Sequence, residues 1–301
     1  MTLAGDTRTI PETVRVPRAE GVRMPGFLII GAMKCGTTSL YRHLGQHPEI
    51  GLSRDKETDF FLSESNYARG IEWYAEQFRG APAAARILGE ASPNYTKCNE
   101  FPGVAERIFQ TLPDVRLIYM VRDPVERFVS QYLHHANAGE VTLDPQGILD
   151  SRAGRHYLDC SRYYRQLSEY LRFFPRQQVL VVCLDELHGN PRGLLRDVFG
   201  FLGVDPHAAL CDLERAHNSR SDLQRLPAWY FAARRSPLLR GVKQRLPAGV
   251  RRLLVTGISR AAARPLPAVD DALRAALRPL LAEDAARFRA LTGLPFAHWS
   301  V

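Results

Sequence analysis

The sequence predicts an α/β protein built on a central parallel sheet flanked by helices, and two observations carry that prediction. Three apolar runs, Phe27–Gly31, residues 115–121 and residues 178–184, have the length and branched composition of strands buried on both faces. The segments between them show helical spacing and helix punctuation. Strands alternating with helices give a parallel sheet covered on both sides.

Taken in order, residues 1–24 are polar, mixed in charge and carry Pro11 and Pro17. They lack the apolar stretch of a signal peptide and read as a flexible arm before a single domain over 25–301. Phe27–Gly31 is the first strand. A helix from Thr37 to about Gln46 should stop ahead of Pro48, which disfavours helix in the residue before it. Aromatic residues and Ile71 at near-helical spacing predict an amphipathic helix over 67–78. Residues 86–90 form a short strand, closed by a Ser92-Pro93-Asn94 turn, and a helix over Val104–Thr111 leads to the strand at 115–121. Asp123 and Pro124 supply an N-cap and a first-turn proline, opening a helix to about His135. Residues 141–160 read as loop-rich. A helix over 163–174, the strand at 178–184 and a helix over Pro191–Leu202, ended by Gly203, follow. Residues 270–291 form a regular amphipathic helix, and Trp299 is expected to close the fold.

At 301 residues the chain is long enough for a sizeable core. No apolar run approaches the roughly 20 residues of a membrane span. Five scattered cysteines without a Cys-x-x-Cys pair suit reduced thiols in a cytoplasm better than a disulfide framework or a zinc site. The net charge of +8 implies attraction to anions, but no zinc finger or aromatic-interleaved basic groove points to nucleic acid. Residues 223–269 contain no acidic residue until the end of the stretch is passed, and Arg234, Arg235, Arg240, Lys243, Arg245, Arg251 and Arg252 alternate with leucines and aromatics. This helical basic portion, about 223–301 with the last helix, could make peripheral contact with a membrane or an acidic acceptor, or pack on the core through its leucines.

The chemistry concentrates after the first strand, in Gly31-Ala32-Met33-Lys34-Cys35-Gly36-Thr37-Thr38-Ser39. An apolar strand feeding a glycine-bounded turn and a helix start builds an anion site from backbone N–H groups. Nucleotide hydrolases place a lysine directly after the second glycine. Here Thr37 holds that position and Lys34 lies inside the turn, which suits a short anionic group rather than a metal-bound triphosphate.

This arrangement resembles the 5′-phosphosulfate loop of sulfotransferases that use 3′-phosphoadenosine 5′-phosphosulfate, and three further segments extend the resemblance. Residues 116–132 look like the family's 3′-phosphate motif: an arginine leaves a strand, a capped helix follows, and a serine comes eight residues later. The resemblance implies that Lys34, Cys35, Gly36, Thr37, Thr38 and Ser39 hold the phosphosulfate and that Arg122 and Ser130 hold the 3′-phosphate. Lys56-Glu57-Thr58-Asp59-Phe60-Phe61 is similar to the Lys-Glu-x-x-Phe-Phe segment of the heparan sulfate N- and 3-O-sulfotransferases, which makes Glu57 the general base. Beside apolar Phe60 and Phe61 its carboxyl would hold a proton more tightly, with Asp59 the rival carboxylate and Lys56 a rival partner for its charge. Arg215-Ala216-His217-Asn218-Ser219-Arg220 looks like a late loop that covers the nucleotide, implicating Ser219 and Arg220. The likeness runs from about Pro25 to Arg220.

The family implies a fold akin to the phosphate-loop kinases and sulfuryl transfer to a hydroxyl or amine of a carbohydrate, glycolipid or small metabolite. The co-substrate is 3′-phosphoadenosine 5′-phosphosulfate, Lys34 is catalytic beside Glu57, and no metal is required. One residue departs from the pattern: glycosaminoglycan enzymes commonly have Glu-Lys before the Ser-Pro turn, and here Glu90 is followed by Ala91. A nucleotide kinase or NTPase is the alternative enzyme; it needs a strand-end carboxylate for a metal, for which Asp123 and Asp185 are the candidates. A non-catalytic module binding adenosine bisphosphate or an acidic glycan would keep the loop and be indifferent to Glu57.

Overall fold

A computed structural model describes residues 23–208 and 269–301. Five strands form one sheet: β1 (Phe27–Gly31), β2 (Ile50–Leu52), β3 (Ile87–Ala91), β4 (Arg116–Val121) and β5 (Val179–Cys183), in the order β2-β3-β1-β4-β5 and all parallel. Every residue of β1 and all but the first of β4 are buried. Side chains alternate between faces along a strand, so both faces of the central strands are covered. The covering helices are α1 (Thr37–Leu44), α2 (Gly70–Glu76), α3 (Val104–Thr111), α4 (Pro124–Asn137), α5 (Arg152–Ser161), α6 (Tyr163–Leu171), α7 (Leu184–Gly189), α8 (Pro191–Leu202) and α9 (Asp271–Thr292).

The predicted strands and most of the predicted helices are present, with three additions. β2 is three residues long and pairs only with β3, too short to leave an alternating pattern. α7 is a six-residue continuation of β5, hidden in sequence by the apolar run it extends. The stretch read as loop-rich contains α5, whose first half is mostly polar and whose buried apolar side chains, Tyr157, Leu158 and Cys160, fall in its second half. Ser151 caps it by accepting from the Gly154 amide at 2.9 Å. The long expected helix over 67–78 is a single turn of 3-10 helix, Tyr67–Arg69, followed by α2.

Two apolar clusters result. The larger surrounds the sheet. The smaller joins Val125, Phe128, Val129 and Tyr132 of α4 to Tyr157 of α5 and to Leu273, Leu277 and Leu281 of α9. This second cluster brings α4, the helix after β4, under the last helix of the chain. Trp299 is buried and stacks on Phe296, 4.2 Å between ring centres, and on Phe288 of α9, so it does close the carboxyl-terminal end.

Glu90, at the end of β3, is fully buried and organises the segment that follows β2. Its carboxylate accepts from Ser92 Oγ (2.6 Å), Tyr95 Oη (2.7 Å), Tyr74 Oη (2.9 Å) and the Thr58 amide (3.4 Å). Burial pushes its pKa up while these four donors pull it down. Phe60 stacks on Tyr74 at 4.3 Å, so the network and the aromatic core together fix the 56–61 segment against β3. Glu90→Ala would leave the Tyr74 and Tyr95 hydroxyls buried without their acceptor and should cost roughly 3 kcal/mol in urea unfolding. A loss under about 1 kcal/mol would show that the network does not hold the segment.

Candidate active site

At the carboxyl end of β1 the chain comes too close to its neighbours for side chains. A Cβ on Gly31 would lie 2.0 Å from Thr96 Oγ1, and one on Gly36 would lie 2.5 Å from Leu184 Cδ1. Gly36 caps α1 in the left-handed region at φ 85°, and Lys34 is left-handed too, at φ 71°, a conformation that costs a non-glycine residue about 1 kcal/mol. Left-handed residues on either side of Cys35 curl the backbone towards the start of α1, where the Thr37 and Thr38 amides have no carbonyl of their own helix to reach, whereas the Cys35 amide donates to the Ala32 carbonyl at 3.1 Å and the Ser39 amide to that of Gly36 at 2.9 Å. Thr37 and Ser39 are buried and Thr38 is half-buried. Cys35 is fully buried with its sulfur 3.5 Å from Tyr163 Oη, burial raises its thiol pKa, and its amide is bonded to Ala32, so its role in the loop is to hold the turn.

Basic side chains converge on this loop. Lys34 is half-buried; desolvation lowers its pKa, and the nearby Arg122 and Arg127 cations lower it further. Arg122 leaves β4 half-buried, and neither it nor Lys34 makes a hydrogen bond or ion pair with the described residues. Glu126, the carboxylate one helical turn away, is paired with Arg274 of α9 at 2.8 Å. Ser130 is half-buried on α4, so the β4–α4 unit carries both proposed 3′-phosphate residues on one rigid piece.

Arg127 is the residue the sequence reading missed. It is wholly buried, yet its guanidinium forms no ion pair with a described carboxylate. It donates through Nε to Ser161 Oγ (2.6 Å), through Nη2 to the Tyr157 carbonyl (2.6 Å), and through Nη1 to Gln131 Oε1 (2.7 Å) and, at 3.4 Å, to the carbonyl of Met33 in the loop. The available signal was a polar pair, Arg127 and Gln131, one turn apart within an otherwise apolar helix face.

The candidate carboxylates lie in the 56–61 segment, which is held to the end of β3 by the Ala91 amide donating to the Lys56 carbonyl at 3.1 Å. Phe60 and Phe61 are buried in the aromatic core, whereas Glu57 is half-exposed with Oε1 2.7 Å from Lys56 Nζ. The apolar surroundings expected for Glu57 therefore do not reach its carboxylate; they fall on its neighbours because the segment turns at Asp59, which is left-handed at φ 46°. Burial raises the carboxyl pKa of Asp59 itself, and Asn94 Nδ2 donates to its Oδ2 at 3.0 Å. Ala91 is buried and provides no cation, but Lys97, six residues on, lies near enough to influence both Asp59 and His135. Ser219 and Arg220 lie outside the described residues, as does the basic stretch up to residue 268.

His134 and His135, late on α4, are half-buried and face the basic cluster. Burial, and then the Lys34 and His135 charges for one and the Lys97 charge for the other, lower both pKa values to about 4. His135 Nδ1 is hydrogen-bonded to Tyr157 Oη.

Comparison with known proteins identifies the family. The sulfotransferase domain model matches residues 25–229, well over half of the chain, and the chain belongs to that family. It is 44% identical over 111 residues to the membrane-associated sulfotransferase kil1 of Dictyostelium discoideum, covering 36% of this chain and 22% of that protein. It is 30% identical over 205 residues to human bifunctional heparan sulfate N-deacetylase/N-sulfotransferase 3, covering 62% of this chain and 23% of that protein. The matches thus span about a quarter of the length of these relatives. Among solved structures, a sulfotransferase from Alicyclobacillus acidocaldarius superimposes with a TM-score of 0.67 at 26% identity, covering 93% of this chain and all of that one.

The histidines set a pH dependence of stability. Unfolded, they protonate near 6.5; folded, near 4. Between those values the unfolded chain holds more protons, so their contribution to stability is complete above pH 6.5 and is lost as pH falls towards 4. The double variant His134→Gln/His135→Gln should flatten the decline of urea-unfolding free energy across that window. A slope identical to that of the unsubstituted protein would contradict the assignment.

Proposed function

We propose that this chain moves a sulfuryl group from 3′-phosphoadenosine 5′-phosphosulfate to a hydroxyl or amine of a carbohydrate, glycolipid or small-metabolite acceptor. The observation that carries the reading is the gathering of Lys34, Arg122 and Arg127 around a glycine loop, none of them ion-paired with a carboxylate among the described residues. Like charges held together in partial burial oppose the fold, and a bound polyanion removes that opposition. Sulfotransferase family membership and the similarity to a heparan sulfate N-sulfotransferase narrow the anion to a phosphosulfate donor.

In this mechanism the amides of residues 36–38, with the Thr37, Thr38 and Ser39 hydroxyls, grip the 5′-phosphosulfate. Arg122 and Ser130 grip the 3′-phosphate, the guanidinium by paired charge-assisted bonds, and Ser219 and Arg220 close over the nucleotide. Lys34 meets the charge that grows on the bridging oxygen as the S–O bond breaks. Arg127 supports it from below, through the Met33 carbonyl and through its own charge. Glu57 accepts the proton that the acceptor loses as its oxygen or nitrogen bonds to sulfur. Of the two candidate metal carboxylates of the kinase alternative, Asp123 is engaged in capping α4: it accepts from the Glu126 amide at 2.9 Å and also from the Ser300 amide.

On the acceptor side, Ala91 removes one cation from the place where the heparan enzymes commonly carry it, which favours an acceptor less anionic than a heparan-like polymer. The described cysteines are free thiols, which supports a reducing, cytoplasmic setting. No described helix is long and apolar enough to cross a membrane.

Turnover with labelled donor across an acceptor panel tests the roles. Lys34→Ala should lower turnover about 10²-fold or more while product-nucleotide affinity changes less, because the interaction is largest in the transition state. Glu57→Gln should preserve donor binding and cut transfer about 10²–10⁴-fold, with Asp59→Asn mild. Asp59 essential and Glu57 dispensable would move the base to Asp59; neither carboxylate mattering would move it to His134 or His135.

A further inference from the structure

A cluster of metal-ligating side chains sits apart from the donor residues, where β5 ends and the carboxyl-terminal tail crosses it. Cys183 is the last residue of β5, Asp185 lies in the first turn of α7, and His298 comes from the tail beyond α9. Cys183 Sγ is 3.7 Å from both Asp185 Oδ2 and His298 Nε2, and these last two atoms are 2.7 Å apart. Three potential ligand atoms of three different chemistries thus lie within 4.8 Å of one another.

Those separations are close to what a single tetrahedral ion demands. Zinc–sulfur bonds of about 2.3 Å and zinc–nitrogen or –oxygen bonds of about 2.0–2.2 Å place sulfur about 3.5 Å from either partner, and nitrogen about 3.3 Å from oxygen. The two sulfur distances already agree. The His298–Asp185 pair must open by about half an ångström, exchanging a hydrogen bond for two coordinate bonds. Both of these side chains are about half-exposed and free to make that adjustment. A thiolate, an imidazole and a carboxylate together suit zinc, and the mixed set with one position open to solvent disfavours magnesium or calcium, which take oxygen ligands.

We propose that Cys183, Asp185 and His298 form a zinc site that staples the carboxyl-terminal tail to the end of the sheet. Binding releases the thiol proton to solvent, so affinity falls as pH drops. The site is structural rather than part of sulfuryl transfer. It lies beside the donor loop all the same: Leu184, between the two chain-adjacent ligands, covers Gly36. Two residues past His298, the Ser300 amide bonds Asp123, the neighbour of Arg122. A fixed tail therefore steadies both the loop and the arginine.

The test is metal titration of the full chain after chelation and desalting. Calorimetry with Zn²⁺ and absorption with Co²⁺ should report one equivalent per chain, with a thiolate-to-cobalt charge-transfer band, and zinc should raise the melting temperature. Cys183→Ser should abolish the band. His298→Ala, a surface change that leaves the apo circular-dichroism spectrum and melting temperature intact, should abolish stoichiometric zinc binding and the thermal shift. No stoichiometric binding by the unsubstituted chain overturns the proposal. So does binding that survives in both variants, which would put the ion among other residues.

Discussion

Three basic side chains, Lys34, Arg122 and Arg127, meet at the carboxyl end of β1 and β4 without an ion pair to any described carboxylate, and the surrounding structure is arranged to keep them there. Repulsion and desolvation both lower the pKa of Lys34. A glycine on each side lets the loop approach Thr96 and Leu184 at distances no side chain would tolerate. Beneath it, Arg127 has exchanged water for three close oxygen acceptors, so its charge is solvated by fixed dipoles but not neutralised. A site of this kind is pre-organised: its donors are in place before the ligand arrives, and the ligand supplies the missing charge.

The second half of the site rests on Glu90. Its carboxylate ties β3 to Tyr74, Tyr95 and the Thr58 amide, and so sets where the chain turns after Lys56. That turn sends Phe60 and Phe61 into the core and leaves Glu57 at the surface beside Lys56, with Asp59 between burial and solvent. Two carboxylates two residues apart thus have different surroundings: Glu57 is paired with Lys56 at the surface, and Asp59 is half-buried and accepts from Asn94.

The sheet and the glycine-bounded loop after β1 were legible in the sequence because both depend on local pattern: apolar runs of strand length, a glycine at each end of a turn, a proline after an N-cap. The elements that were not legible are short or owe their form to distant contacts. β2 has three residues; α7 continues a strand; α5 hides its apolar half behind an arginine-rich start. Arg127 was passed over because a lone arginine on a helix is ordinarily solvated. Its burial follows from Ser161 and Tyr157 of α5, the helix that sequence pattern did not reveal. The environment of Glu57 was misjudged for a related reason: adjacency in sequence to Phe60 and Phe61 does not carry across a left-handed residue at Asp59.

Calorimetric titration with adenosine 3′,5′-bisphosphate and with ATP, in the absence of added divalent cation, tests the central claim most directly. The bisphosphate should bind the tighter of the two, and Arg122→Ala should weaken it by on the order of 2–4 kcal/mol, about 30- to 1,000-fold, because a phosphate loses a charged partner in a partly buried site. Preference for ATP, or bisphosphate affinity untouched by Arg122→Ala, would contradict the account.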